Sequence, residues 1–442
     1  MTARLLSLWS RINASYWFYP AIFSILAFFL ALGTIALDRS VASEFLTSNK
    51  WLIPARPSGA SNMLQVIAGS TIGVAATVFS ITIVAVSYAS GTYGPRLLSN
   101  FMEDKGNQLS LATFIGTFVY AVMVLRVVRQ EDESPAAVLN GDAMPGFVPQ
   151  LSLLVAIVMM LASIGVLVFF LNHVPDSIRI NTVLEDIGKR LIRQIQRRFP
   201  HEGEGIDWPE VKTEREVHAE RAGYIEIINF DGLDELAKEH DGRIVLFVEA
   251  GNFIHPPRAL AGLHAMGDDD RIAEKVRDCF VLSGLRTPTQ DLRFLLDELV
   301  EIALRALSPG INDPFTAMTA LHWMGAATAE LGTRVLHESA NDDDEDRKDP
   351  AKARVIPLTT DFTGYVAAGF GAARSAVATS RKATLCMFGA LENCADAVSS
   401  DKRLAVLREE GAKLLAQAES SLSGPDLVEV HERHRQFLHH LR

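Results

Sequence analysis

Two polar segments in the second half of the chain carry side chains that can bind a ligand or a neighbouring subunit. The first reads Arg286-Thr-Pro-Thr-Gln290-Asp291, and the second reads Ser308-Pro-Gly-Ile-Asn312-Asp313-Pro314. Their guanidinium, amide and carboxylate groups offer donors and acceptors to a polar partner. The same residue types also fill turns and helix caps for backbone reasons. Both interpretations stay open for the candidate ligand or intersubunit residues Arg286, Gln290, Asp291, Ser308, Asn312 and Asp313.

A helix is predicted between these two segments, over residues 289–307. The Pro–Gly pair after Ser308 ends it, and Asn312 or Asp313 is predicted to cap the helix that follows. The two segments would lie ~25 Å apart at the standard helical rise, so we expect each to meet its own partner. Seven-residue spacing places three ionisable residues on one face of this helix: Asp291, Glu298 and Arg305.

A stripe of small and hydroxylated residues runs along the second long apolar segment, which lies between Arg56 and Arg96. Spacings of three and four residues place the stripe on one helical face. Such a face suits close helix packing, within or between subunits, because small side chains let backbones approach and hydroxyls bond across the contact. It equally suits the wall of an uncharged pore. The pore or helix-packing candidates are Gly69, Gly73, Thr77, Ser80, Ser87 and Gly91, with Val84 on the same face.

Signatures of catalysis and of cofactor or metal binding are missing from the sequence. There is no Gly-x-Ser-x-Gly or Walker A sequence, and Gly369-Phe-Gly371 is followed by Arg374 where a dinucleotide loop has its third glycine. His431 and His434 are three residues apart, whereas the zincin helix needs a spacing of four. We therefore expect no catalytic residues, no cofactor and no metal. An enzyme acting at the membrane surface through Asp291, Glu298 or Asp313 is the least supported function.

Four long segments without Asp, Glu, Lys or Arg predict membrane-spanning helices. A bilayer core of ~30 Å needs ~20 apolar helical residues, and each segment is long enough. The first run is too long for a signal peptide and has no clear cleavage site, which favours a span. We expect no ionisable group within the spans, which disfavours a proton-coupled transporter and leaves passive permeation open. The predicted spans cover residues 20–37, 63–89, 109–125 and 151–171.

The distribution of Lys and Arg around the spans predicts the orientation of the chain. Ten of them flank the spans on the side of the N-terminal tail and of the segment after the fourth span, against four on the other side. By the positive-inside rule, the N- and C-termini are expected in the cytoplasm. The sequence therefore predicts a multi-pass protein of a bacterial inner membrane.

The chain changes character after the fourth span. The fold class predicted is an α-helical membrane protein, with a four-helix transmembrane bundle and a C-terminal cytoplasmic α+β domain that is mostly helical with a small β-rich unit. The connector after the bundle is basic and amphipathic, so it either lies on anionic headgroups or is an ordinary helix with a solvated basic face. The predicted regions are a transmembrane domain (1–175), the connector (176–215), the α+β domain (216–337), an acidic linker (338–353) and a helical region (354–442).

The charge and the cysteine content exclude two further classes of protein. A net charge of -11 provides no basic field for nucleic acid. The three cysteines, Cys279, Cys386 and Cys394, form no CxxC pair and no regular spacing, so they predict neither a disulfide framework nor a zinc site. We interpret them as reduced, packed thiols.

Two longer motifs, together with the four spans, resemble a known family. They are Phe79-Ser-Ile-Thr-Ile-Val-Ala-Val-Ser-Tyr-Ala-Ser-Gly91, leading to Gly94-Pro-Arg-Leu-Leu, and Arg305-Ala-Leu-Ser-Pro-Gly-Ile-Asn-Asp-Pro-Phe-Thr-Ala317. Over almost its whole length the chain resembles the bacterial predicted membrane proteins called domain of unknown function 2254. It departs from that family at Gly251-Asn252-Phe253-Ile254, where members commonly read Gly-Asp-Phe-Val. The resemblance implies a bacterial inner membrane and brings no activity with it.

These patterns favour a homo-oligomeric pore, similar to an ion channel, with the second span near its axis. The C-terminal domain would form a cytoplasmic vestibule or gate. The expected partners are the lipid bilayer, further copies of the chain and ions, with cations weakly favoured by the acidic balance; nucleic acid is not expected. The alternative is a membrane-anchored sensor or scaffold that binds a ligand or partner through the two polar segments.

Overall fold

The computed structural model describes residues 12, 15–40, 55–94, 104–129, 147–199, 211–336, 353–358 and 361–442. Nearly all of the predicted acidic linker and residues 200–210 of the predicted connector lie outside the described residues. The chain divides into two compact units. We call Arg11–Arg179 the N-terminal unit and Ile180–Arg442 the C-terminal unit.

The N-terminal unit contains four helices that are long and apolar enough to cross a membrane, which confirms the predicted four-helix arrangement. They are α1 (Phe18–Ser40), α2 (Pro57–Tyr93), α3 (Lys105–Leu125) and α4 (Gln150–Ser177). Each helix is longer than its predicted span, because backbone hydrogen bonds continue beyond the strictly apolar stretch. α2 has 37 residues and is therefore about 55 Å long.

α3 is the central helix of the N-terminal unit, since α1, α2 and α4 all pack against it. The hydroxyl of its buried Tyr120 lies 2.9 Å from the Thr34 hydroxyl of α1 and donates to the Ser152 carbonyl of α4 at 3.1 Å. The Thr117 and Ser163 hydroxyls lie 3.0 Å apart between α3 and α4. Hydrogen bonds therefore join three helices at positions where hydrocarbon would satisfy no polar group.

A buried carboxylate holds the start of α4 against the end of α1. Asp38 is 3% exposed, and its two oxygens accept from the backbone N–H groups of Leu151 and Ser152, both at 2.9 Å. The Ser152 hydroxyl donates to the same carboxylate at 2.7 Å. The first N–H groups of a helix have no intrahelical acceptor, and the helix dipole favours an anion there. Asp38 satisfies both requirements from another helix.

Short strands in the C-terminal unit form two sheets, one of four strands in the order β1-β5-β3-β7 and one of three in the order β4-β2-β6. All their pairings are antiparallel except β3 with β7. Apolar residues from both sheets share one core. The strands are β1 (Arg215–His218), β2 (Gly223–Ile228), β3 (Arg243–Leu246), β4 (Phe253–Ile254), β5 (Ala259–His264), β6 (Phe280–Ser283) and β7 (Val355–Ile356).

The remainder of the C-terminal unit is helical, as predicted. α9 packs against α5, α8 and α12, and the last helices, α12 to α14, pack on one another. A π-helical turn (Ala367–Gly371) joins α10 to α11. The helices are α5 (Ile180–Arg198), α6 (Phe230–Glu239), α7 (Asp270–Asp278), α8 (Leu292–Ala306), α9 (Pro314–Gly332), α10 (Phe362–Val366), α11 (Ala372–Val377), α12 (Arg381–Ala397), α13 (Asp401–Glu419) and α14 (Gly424–His440).

α5 corresponds to the helix of the predicted basic connector, and the structure decides between its two interpretations. Its apolar residues, among them Leu184, Ile187 and Leu191, are buried, and the helix packs against α8 and α9. A Cβ atom on Gly188 would overlap the indole ring of Trp323, so the backbones approach closely here. The apolar face is thus part of the core of the C-terminal unit and does not lie on headgroups. Of its basic residues, Arg193 and Arg197 are exposed, whereas Arg198 is partly buried and donates to the Gln290 carbonyl.

Replacing Asp38 by alanine is expected to lower the free energy of unfolding by about 2–4 kcal/mol, since three hydrogen bonds to a charged group are lost and buried donors stay unpaired. The measurement is an unfolding titration of the purified protein in mild detergent, followed by circular dichroism. Asp176→Ala is the matched control, because Asp176 is half exposed in an ion pair with Arg179; its effect should stay below about 1 kcal/mol. Equal effects of the two substitutions would contradict this role of Asp38.

Candidate functional site

The small residues predicted on the second span all lie on one exposed side of α2, which we call the outer face. A Cβ atom added to Gly69, Gly73 or Gly91 would meet no atom within 4 Å. The opposite side of α2 is buried against α3, where Leu64 and Ile67 lie in the core. From Gly69 to Ser87 the outer face therefore packs against none of the described parts of its own chain. Its residues are Gly69, Gly73, Thr77, Ser80, Val84, Ser87 and Gly91.

Among the described residues, this exposure gives no support to helix packing within the subunit through the outer face. Helix packing within the subunit uses the other side of α2, so the outer face is not needed for it. The hydroxyl of Thr77 donates to the Gly73 carbonyl at 3.1 Å, within the helix itself. This side chain can therefore face hydrocarbon, water or another helix. Contact between subunits and a pore wall remain as predictions for the outer face.

The N-terminal unit also holds an ionisable pair that the predicted span limits miss. α4 continues to Ser177, beyond the predicted end at residue 171, and so includes His173. The His173 Nε2 atom lies 2.8 Å from Oδ2 of Asp104. Asp104 also caps α3, because its side chain accepts from the Gly106 N–H at 2.7 Å. With Asp38 at the end of α1, the candidate spanning helices do contain ionisable groups, near their ends. Asp38 and His173 lie just outside the predicted spans 20–37 and 151–171, which themselves contain no Asp, Glu, Lys, Arg or His.

Two of the residues predicted in the C-terminal domain, Arg286 and Asp291, meet at the start of α8. The Arg286 side chain donates from Nε to Oδ2 of Asp291 at 2.8 Å and from Nη1 to Oδ2 of Asp297 at 2.6 Å. Asp291 is buried and caps α8, accepting from the Phe294 N–H at 3.1 Å. Burial raises the pKa of Asp291, and the neighbouring Arg286 guanidinium opposes that rise. Arg286 is thus the counter-charge of a buried carboxylate.

The turn before β4 packs directly against the carboxylate of Asp291. Gly251 has a φ of +89°, and a Cβ atom there would overlap the carboxyl group of Asp291. Only glycine fits such a backbone angle and such an approach without strain. The family departure at Asn252 lies one residue further on, where its side-chain Oδ1 accepts from the Glu249 N–H at 3.3 Å. The turn and the start of α8 are therefore fitted to each other.

Gln290 fixes the same loop to the sheet. Its side-chain amide accepts from the Ile228 N–H at 2.8 Å and donates to the Ile228 carbonyl at 3.2 Å, at the end of β2. From the other side, the Arg198 guanidinium donates to the Gln290 carbonyl at 2.9 Å. The side chain of Gln194 donates to the Pro288 carbonyl at 2.9 Å. Gln290 thus lies between α5 and the sheet, next to a cavity that α5 helps to line.

The second predicted segment, at the far end of α8, forms a turn and a cap. Asp313 caps α9, accepting from the Phe315 N–H at 3.1 Å and from the Thr316 hydroxyl at 2.6 Å. The Thr316 hydrogen bond lowers the pKa of Asp313. The hydroxyl of Ser308 donates to the Arg305 carbonyl, and Asn312 is exposed with a φ of +50°. α8 has 15 residues, so about 22 Å separates this turn from Asp291. A ligand or intersubunit role for Ser308, Asn312 and Asp313 stays a prediction.

Sequence reasoning also missed a cysteine–histidine contact between α9 and α12. The sulfur of Cys386 lies 3.2 Å from His322 Nε2. Burial raises the pKa of Cys386 to about 11, which keeps the sulfur a thiol at neutral pH. An activated nucleophile needs the opposite shift. The pair therefore stabilises a helix contact and adds nothing to the enzyme hypothesis.

Comparison with known proteins identifies relatives of the chain and no activity. A family described as "Predicted membrane protein (DUF2254)" matches residues 13–393. Uncharacterized proteins of Mycobacterium bovis and Mycobacterium tuberculosis are 29% identical over 311 residues, which cover 67% of this chain. The chain spans only 57% of the length of these relatives. No solved structure matches it.

Replacing Arg286 by methionine is expected to cost about 3–5 kcal/mol of stability at pH 7, because a buried carboxylate loses its counter-charge. The loss of stability caused by this substitution should be smaller at pH 5 than at pH 7. Removing the guanidinium lets burial raise the pKa of Asp291 further, so the folded variant takes up a proton while the unfolded carboxyl, with a pKa of about 3.9, stays ionised. The stability of the Arg286→Met variant, relative to that of the natural protein, therefore rises as the pH falls from 7 to 5.

Chemical denaturation of the variant and of the natural protein at both pH values gives the difference directly. Arg293→Met serves as the control, since Arg293 is 42% exposed and its Nε atom lies 3.7 Å from Glu249. That control should lose little and show no such dependence on pH. A loss for Arg286→Met that is equal at pH 7 and pH 5 would contradict the assigned pairing.

Proposed function

This chain belongs to the DUF2254 family of predicted membrane proteins, and we propose that it assembles as a homo-oligomer around a pore, as an ion channel does. The outer face of α2 lines this pore, and the C-terminal unit forms a vestibule or gate at its cytoplasmic end. One observation carries the proposal. The outer face is small, hydroxylated and exposed from Gly69 to Ser87, where none of the described parts of its own chain covers it.

Polar groups on the outer face favour water or another copy over lipid as its neighbour. Gln65 lies one helical turn before Gly69 on the same side of α2 and is exposed. An amide that faces hydrocarbon without a hydrogen-bond partner costs about 2–7 kcal/mol. The hydroxyls of Ser80 and Ser87 extend this polar surface along the helix. Large apolar residues on either side of it, such as Ile72 and Ile81, suit contacts with lipid or with a neighbouring subunit.

The packing of the N-terminal unit supports a pore between copies of the chain. α3 occupies the middle of the four helices, and large side chains such as Phe114 and Tyr120 are fully buried on it. The described interior of one copy is therefore largely filled by α3, and the cavity between α1, α3 and α4, lined by residues such as Leu26, Gly116 and Met159, is apolar. Several copies arranged around an axis would place their α2 helices together, and small residues would permit the close approach.

The charge pattern sets what such a pore would conduct and how it would be oriented. Residues 57–95 contain no charged side chain, so the α2 wall itself selects neither sign. The net charge of -11 favours cations at the vestibule. This preference is weak, because salt screens the electrostatic field of surface charges over ~8 Å. The excess of Lys and Arg on one side of the spans supports an orientation with both termini in the cytoplasm of a bacterium and the spans in its inner membrane.

The proposal is tested by reconstituting the purified protein in planar lipid bilayers and measuring its oligomeric state and its single-channel conductance. A defined oligomer with reproducible unitary conductance is the expected result. A folded monomer or dimer that leaves the bilayer silent would overturn the pore. The N-terminal unit would then serve as an anchor, and the C-terminal unit would carry the function.

Substitutions on the outer face should change the conductance without unfolding the protein. Ser80→Leu narrows the proposed pore and is expected to lower the unitary conductance at least several-fold, with the oligomer intact. Gly73→Leu should act in the same direction. The matched control is Gly165→Leu on α4, where an added side chain also meets open space and conductance should not change. Dissociation of the oligomer by Ser80→Leu would instead make the outer face a packing surface between subunits.

A further inference from the structure

The C-terminal unit contains a cavity of about 340 Å³ between α5, the end of β2 and the loop that enters α8. This volume is in the range of pockets that hold small molecules. Its polar lining comes from Gln194, Arg197 and Arg198 on α5 and from Thr289 and Gln290 on the loop. Arg197 is exposed, and Arg198 is partly buried. Two adjacent guanidinium groups at one cavity favour an anion as its occupant.

Two helix starts add to this preference. Phe230 is the first residue of α6 and Leu292 is the first residue of α8, and both line the cavity. The first N–H groups of a helix lack intrahelical acceptors and carry partial positive charge, so helix starts of this kind bind anions. The cap of α6 is the neutral amide of Asn229, with the carboxylate of Asp231 in the first turn, and the carboxylate that caps α8, Asp291, is engaged by Arg286.

Neighbouring carboxylates have partners other than Arg197. Asp297 is paired with Arg286 at 2.6 Å. Glu249 has an oxygen 3.7 Å from Nε of Arg293. Glu249 and Asp291 also attract Arg198, whose pKa is lowered by burial. The positive charge at the mouth of the cavity therefore comes chiefly from Arg197.

The remaining walls are apolar. Ile228, Phe230, Ala250 and Leu292 complete the lining. An inorganic ion would leave this apolar surface exposed to water. An organic anion would cover the surface and would be stabilised by burial of its own apolar part. We propose that the cavity binds a small organic anion, with its phosphate or carboxylate at Arg197 and Arg198 and its apolar body against Phe230 and Leu292. This site does not depend on whether the N-terminal unit forms a pore.

Isothermal titration of the full chain in neutral detergent tests the site, with phenyl phosphate as the probe. Phenyl phosphate is expected to bind more tightly than inorganic phosphate, because only the former reaches the apolar wall. Arg197→Ala should weaken its binding at least about tenfold, as the loss of a charged hydrogen bond predicts. Phe230→Ala should reduce the preference for phenyl phosphate over phosphate. Arg193→Ala is the matched control, since Arg193 is an exposed arginine of α5 outside the cavity, and binding should not change.

A second arm separates a lipid headgroup from a free anion as the natural occupant. The titration is repeated in nanodiscs of phosphatidylcholine with increasing fractions of phosphatidylglycerol. Phenyl phosphate binding that weakens as the anionic lipid increases identifies a headgroup in the cavity; binding that stays constant identifies a soluble anion. Absence of phenyl phosphate binding to the folded protein, or equal affinity in the Arg197→Ala variant, would overturn the proposal.

Discussion

The buried ion pair between Arg286 and Asp291 organises the C-terminal unit. One carboxylate caps α8, accepts the guanidinium and receives the turn at Gly251. A buried charge is tolerated only when it is paired and hydrogen-bonded. The start of α8, the Arg286 guanidinium and the turn at Gly251 therefore depend on one another. Gln290, the residue before Asp291, is thereby placed against Ile228 at the end of β2. The walls of the anion cavity thus follow from the burial of a single acidic group.

The N-terminal unit uses the same principle at its helix starts. Asp38 satisfies the first N–H groups of α4 from a neighbouring helix, and Asp104 caps α3 while it meets His173 on α4. Carboxylates at helix starts are favourable because the helix dipole and the unpaired N–H groups attract them. These contacts and the hydroxyl of Tyr120 fix α1, α3 and α4 to one another. α2, by contrast, is held by the described helices through one side only.

The sequence predicted those parts of the fold that depend on local composition. Gaps between charged residues located the four spans, and local signals located the turn after α8 and the cap of α9. The helix limits were less accurate: α4 runs on to include His173, because backbone hydrogen bonding does not stop where apolar residues do. α8 begins at Leu292 and not at residue 289, because Asp291 is taken as its cap. The anion cavity was beyond sequence reasoning, since residues from α5, β2 and the loop before α8 meet only in the folded chain.

The length of α2 is greater than the thickness of the hydrocarbon core of a bilayer. A helix of about 55 Å exceeds a hydrocarbon core of ~30 Å, and a tilt of ~20° would absorb only a small part of the difference. Residues 57–95 contain no charge that would anchor α2 at one depth. Because Leu64 and Ile67 of α2 lie in a core shared with α3, a change in the tilt of α2 would have to involve its neighbours. About 20 Å of α2 therefore extends beyond the hydrocarbon core, into the headgroup region or the water beside it.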